Sequence, residues 1–113
     1  MNSEKPLVSV IMPVYNGAAF LTGAIDNIRR QNYEPLEIII VDDGSTDSTG
    51  QIVASFGSDI RYVYQANQGP AAARNHGLRL ATGDLIAFLD VDDLWAENRF
   101  VQLEILVRLN NWL

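Results

Sequence analysis

Leu85-Ile86-Ala87-Phe88-Leu89-Asp90-Val91-Asp92-Asp93 decides the fold: five apolar residues with no turn former end abruptly in three carboxylates within four positions. A continuous apolar run of this kind suits a strand covered on both faces, as in parallel sheets, and it predicts a central strand that delivers acid to its carboxyl end. Like charges packed this closely repel one another and lose hydration, so they are tolerated where a cation or hydrogen-bond donors offset them. A single Asp would suffice to cap the helix that follows. The excess over one cap points to a metal or ligand site, since clustered carboxylates concentrate at functional positions.

Upstream the same unit recurs. Residues 7–12 are rich in β-branched side chains and end at Pro13, which predicts a first strand closed by a residue unable to donate to a ladder. Phe20, Leu21, Ala24, Ile25 and Ile28 form one helical stripe within residues 18–31. Residues 36–41 are a second buried strand that also stops at acid, in Asp42-Asp43-Gly44-Ser45. Ser45 or Thr46 is placed to cap the next helix, with Asp47 in its first turn and Gly57 at its end. Residues 60–64 alternate like an edge strand, and Asn67-Gln68-Gly69-Pro70 turns the chain into a third helix with Pro70 at its first position. That helix runs to about Ala81. Beyond the acidic cluster, residues 96–109 are predicted to be helical.

Strand and helix alternate four times, which implies parallel strands joined by right-handed crossovers. The predicted fold is an open, mainly parallel α/β sheet with helices on both faces, in which all strand carboxyl ends share one edge and ligands bind where strand order reverses. Residues 13–16, 42–45, 67–69 and 90–93 all fall at those ends.

The chain has 113 residues, read as a single domain over 1–113, with 48% hydrophobic and 19% charged residues. No apolar stretch approaches the roughly 20 residues that span a bilayer, so no transmembrane segment is predicted. A formal charge of -6 and the absence of a basic stripe argue against nucleic acid as a partner. There is no cysteine, which removes disulfides, thiolate zinc sites and thiol nucleophiles. The first six residues lack an apolar signal core, and a cytoplasmic location is expected.

Neither G-x-x-x-x-G-K-[ST] nor G-x-G-x-x-G follows the first strand, so backbone cradling of phosphate is not the design. The alternative is a divalent cation held by oxygen ligands and bridging carboxylate to diphosphate, as Mg²⁺ does and Mn²⁺ also favours. An acidic residue after the second strand, Asp42 or Asp43, is placed to accept hydrogen bonds from a nucleoside. Ordinary turn chemistry explains the same pair.

Residues 8–16 (VSVIMPVYN), 37–47 (EIIIVDDGSTD), 67–75 (NQGPAAARN) and 88–93 (FLDVDD) together resemble the family 2 glycosyltransferases of GT-A fold, over nearly the whole chain and in the right order. The resemblance implies a Rossmann-like, N-terminal nucleotide-sugar-binding half that takes a nucleotide-sugar donor, with a UDP-sugar favoured, and Mn²⁺ or Mg²⁺ as cofactor. Carried over by position, Pro13 and Tyr15 line the base pocket, Asp42 meets the base, Asp90 holds the ribose and Asp92 ligates the metal. Arg74 approaches the base or pairs with the acidic edge, and Asp43 fixes the turn. Asn16 and Asn75 are read as loop fasteners, His76 as a helix-surface residue, and Trp95 as a wall of the site or part of the core.

Family members continue into an acceptor-binding half that carries the catalytic base. The chain is therefore expected to be truncated, its base beyond residue 113, its acceptor unknown, and its exposed surface prone to homo-oligomerisation. In a full-length enzyme, peripheral membrane association is compatible with this reading. Two rivals are a phosphatase using Asp-x-Asp as nucleophile and acid-base pair, and a non-catalytic nucleotide-binding or protein-interaction module.

Overall fold

The structure, a computed structural model, describes residues 5–91. Asp92, Asp93, Trp95 and the helix expected over 96–109 lie outside the described residues. Seven elements follow in alternation: β1 Val8–Val14, α1 Ala18–Arg29, β2 Leu36–Asp42, α2 Thr49–Ala54, β3 Ile60–Tyr64, α3 Pro70–Leu80 and β4 Leu85–Phe88. The four strands form one parallel sheet in the order β3-β2-β1-β4.

Side-chain alternation along β2 divides the core. Ile38 and Ile40 join Val8, Val10, Met12 and Val14 of β1 under Leu21, Ala24, Ile25 and Ile28 of α1 and Val53 of α2. Ile39 and Val41 face the other way, onto Ala73 and Leu80 of α3. Residues with period two on a strand thus meet stripes of period 3.6 on a helix, on both faces of the sheet. Ile25 and Ile28 are completely buried, each contributing about 1.5–3 kcal/mol by removal from water. On the α3 face the approach is closer still: a Cβ on Gly77 would lie 2.4 Å from Ile11 Cγ2. Only glycine lets α3 settle onto β1 there.

Three expectations are corrected. The first strand does not stop at Pro13 but runs through it to Val14. The Val14 carbonyl accepts from Asp43 N–H and the Ile11 carbonyl from Leu89 N–H, so alternation turns position 13 toward β4. Pairing with β4 ends at Ile11 and Phe88, and the donor that proline lacks has no strand to meet. The run 85–89 is not central among the described residues. It pairs with β1 alone, and Phe88 is 42% exposed. Finally, α2 begins at Thr49, with Ser48 at its N-cap making no side-chain bond, because Ser45 and Thr46 are drawn across to Asn16 instead. No helix among the described residues is long and apolar enough to cross a membrane.

Candidate functional site

From β1 the chain steps to β2 and β3 on one side, while β4 lies on the other. Strand order therefore reverses between β1 and β4, and in open α/β sheets the crevice above such a point is where ligands sit. A cleft of about 320 Å³ occupies that position, lined by Pro13, Val14, Tyr15, Asn16 and Gly17 after β1, Phe20 on α1, Asp43 after β2, Pro70 at the start of α3, and Asp90 and Val91 after β4. The loops after β1 and β4 are in contact: a Cβ on Gly17 would lie 2.9 Å from Val91 Cγ1.

A polar lattice fixes the rest of the rim. Asn16, in the left-handed region at φ 51, donates its N–H to Ser45 Oγ at 2.8 Å, and its Oδ1 accepts from Thr46 N–H at 2.8 Å. Asp47 accepts from Ala18 N–H at 3.1 Å and from Thr49 N–H at 3.0 Å, so one carboxylate serves the first turns of both α1 and α2. The Thr49 hydroxyl bond, with these amide bonds, holds the Asp47 carboxyl below the usual range. None of these donors and acceptors is local in sequence except those of Thr49. Loop β1–α1 is thereby cross-linked to loop β2–α2.

Asp42 and Asp43 are both buried, but they do different work. Asp42 Oδ1 accepts from Ser45 N–H at 2.8 Å, and its Oδ2 accepts a short bond from the Tyr62 hydroxyl. Burial, then this bond and the Asp42 charge, push the Tyr62 phenol well above its ordinary pKa. Asp43 Oδ1 accepts from Gln65 Nε2 at 2.8 Å and Gln68 N–H at 2.8 Å, and Oδ2 from Gly69 N–H at 2.9 Å. Burial opposes ionisation of Asp43 most strongly, but the three bonds together outweigh it and lower its pKa. Gly44, at φ +85, lets this turn close on the next loop, since a Cβ there would lie 2.9 Å from Asn67 N.

Of the site residues expected from sequence, Pro13, Tyr15 and Asp90 line the cleft. Arg74 reaches its edge through an ion pair with Asp90 at 3.5 Å. Asp42 is buried and off the lining, and the carboxylate that borders the cleft from this turn is Asp43. Phe20 was expected only as part of the buried stripe of α1, yet it is 55% exposed, as is Tyr15. Its place one residue ahead of the buried Leu21 was the available signal. The expected metal ligand, Asp92, lies outside the described residues, and among these no group of three or more His, Cys, Asp or Glu is gathered for a metal. What they do offer is chemically suitable: Asp90, with its side chain 53% exposed, is a hard oxygen donor at the cleft, of the type Mg²⁺ and Mn²⁺ select.

The sequence pattern of glycosyl transferase family 2 matches residues 9–105. The chain belongs to this family. An uncharacterised glycosyltransferase of Rickettsia typhi is 43% identical over 111 residues, covering 97% of this chain and 35% of the relative. Among solved structures, S. aureus TarS in complex with UDP superposes with a TM-score of 0.78 at 28% identity, over 92% of this chain and 32% of that one. The mannosyltransferase PcManGT from Pyrobaculum calidifontis, in complex with GDP-Man and Mn²⁺, gives 0.74 at 34% identity, over 89% and 32%. This family 2 chain thus spans about a third of the length of each of these three proteins, and its parallel sheet with flanking helices is the Rossmann-like part of their GT-A fold.

Proposed function

We propose that the chain is the nucleotide-sugar-binding half of a metal-dependent glycosyltransferase, with a UDP-sugar as donor. The cleft over the reversal of strand order carries this reading, because it sets apolar and aromatic walls beside carboxylates in one crevice. Pro13 and Tyr15 enclose the base, with Phe20 and Pro70 available as further wall. Asp90 accepts from the ribose hydroxyls, and Arg74 holds Asp90 in place while balancing its charge.

Asp42, expected to meet the base, supports the turn instead, and Asp43 is the carboxylate better placed to meet it. A carboxylate offers about four acceptor positions. Asp43 uses two on Oδ1 and one on Oδ2, which leaves one for a ring N–H. Uracil and guanine present such a donor, and UDP and GDP-Man are the molecules held by the two structural neighbours. Asp92 would hold a divalent cation, Mn²⁺ or Mg²⁺. When bound, that ion offsets the negative charge of the diphosphate against the acidic edge and favours its departure. The base for the acceptor hydroxyl belongs to the part of the relatives' length that this chain does not span.

Calorimetric titration with UDP and with GDP, each with and without Mn²⁺, tests this. UDP should bind more tightly with metal, and Asp92→Asn should weaken the metal-supported binding about tenfold or more, equivalent to about 1.4 kcal/mol. Affinity indifferent both to Mn²⁺ and to Asp92→Asn would sink the assignment.

A further inference from the structure

His76 is the one histidine of the chain. It lies half-buried on α3 and does not line the cleft. Its Nδ1 is 2.8 Å from Gln65 Oε1, and the same amide gives its Nε2 to Asp43 Oδ1 at 2.8 Å. These two contacts form a directed chain. The Asp43 carboxylate only accepts, so Gln65 must present its NH₂ to it. The Gln65 carbonyl then faces the imidazole and also only accepts, so Nδ1 must carry the proton. Neutral imidazole in water favours the opposite tautomer. The arrangement at Asp43 therefore dictates the state of a ring outside the cleft, and the ring in turn holds the amide.

We propose that His76 is a positioning residue of the nucleotide site: through Gln65 it keeps the Asp43 carboxylate turned so that its remaining acceptor position faces the cleft. The role rests on the reading of Asp43 as the base acceptor. Gln68 and Gly69 fasten Asp43 with backbone N–H groups that no side-chain change removes. Gln65 supplies the adjustable contact, at the end of β3, and α3 controls it. Chains of hydrogen bonds polarise one another, so loss of the far donor is felt at the near acceptor.

With a single imidazole, long-range proton–nitrogen correlation of ¹⁵N-labelled protein reads the tautomer without assignment. In nucleotide-free protein at a pH where the ring is neutral, Nδ1 should be the protonated nitrogen, and Gln65→Leu should return the ring to the Nε2–H form. Titration with UDP and Mn²⁺ should then show His76→Leu binding about threefold to tenfold more weakly. His76→Gln, which keeps a donor for the Gln65 carbonyl, should restore most of the affinity. Adding His76→Leu to Gln65→Leu should cost little beyond Gln65→Leu alone, because the histidine acts only through that amide. A protonated Nε2 in the wild type overturns the proposal whether or not UDP binds. So does an unchanged UDP affinity in His76→Leu accompanied only by a lower Tm, which would make the contact a helix-to-strand tie. A wild type with the Nδ1–H form that ignores UDP removes the nucleotide reading, and this role with it, while leaving the hydrogen-bond chain intact.

Discussion

Asp43 and Asp90 occupy equivalent places, each after an apolar strand of the same parallel sheet and each bordering the same cleft, yet their surroundings are opposite. Asp43 is 3% exposed and accepts from Gln65, Gln68 and Gly69. Asp90 has more than half of its side chain in solvent and, among the described residues, one long ion pair to Arg74. The first is fixed by the protein before any ligand arrives. The second leaves most of its acceptor capacity unused by the described residues, as the proposed role beside ribose and a cation would require. A carboxylate at a strand end is therefore not one kind of feature, and its partners decide whether it builds the crevice or serves it.

Removing Asp43 should break the comparison most severely. Asp43→Ala leaves the Gln65 amide and two backbone N–H groups without their acceptor in a buried turn, and loss of hydrogen bonds to a buried charge predicts destabilisation of about 3 kcal/mol. Urea unfolding measures it, and UDP binding should fall below detection in the same variant. A loss smaller than 1 kcal/mol would mean that water replaces the carboxylate. Tyr62→Phe comes next. It deprives Asp42 Oδ2 of its hydroxyl donor while keeping the ring, for about 1–2 kcal/mol, and UDP affinity should fall much less than it does in Asp43→Ala.

The contrast between these carboxylates was only partly legible in the sequence. All four strands and the three described helices were, because buried parallel strands and amphipathic helices leave periodic marks of their own. The acidic strand ends were legible for the same reason. What a one-dimensional pattern does not carry is which donor meets which acceptor across a gap in sequence. Tyr62 to Asp42, Gln65 to Asp43 and Asn16 to Thr46 join residues 20 to 30 positions apart, and they depend on strand register rather than on spacing. Hence Asp42 and Asp43 were told apart only by resemblance, and Asp43 borders the cleft where Asp42 was expected to. Pro13 misled for a related reason: the rule that proline ends a strand depends on whether a neighbour exists on that side.

Acidification gives a smaller, graded form of the same test. Hydrogen bonds hold the pKa of Asp43 below its ordinary value against the opposing effect of burial. Glu37 is likewise lowered: burial opposes ionisation there too, and bonds from Ser9 and Thr82 prevail. A group whose folded pKa is depressed contributes stability that is complete above its unfolded value, about 4 for a carboxylate, and that disappears as pH falls through the folded value. Unfolding free energy attributable to these groups should thus be level from neutrality to about pH 5 and decline below that. Asp43→Ala should flatten the decline. An equally steep acid limb in that variant would assign it elsewhere.

Asp90→Asn should have the smallest effect on stability and the most selective effect on binding. The side chains of Asp90 and Arg74 are both more than a third exposed and meet at 3.5 Å, and exposed pairs of this kind contribute between 0 and about 1 kcal/mol. The unfolding free energy should therefore stay within about 0.5 kcal/mol of the wild type. On the proposed reading binding should respond differently, because Asn would keep one oxygen for a ribose hydroxyl but lose the charge that would help hold a cation nearby. UDP affinity should fall several-fold in the presence of Mn²⁺ and hardly change without it, a difference that calorimetry on the two conditions resolves. Should Asp90→Asn destabilise the protein as much as Tyr62→Phe, Asp90 would be a second structural carboxylate. The crevice would then lack the free acceptor that separates its β4 side from its β2 side.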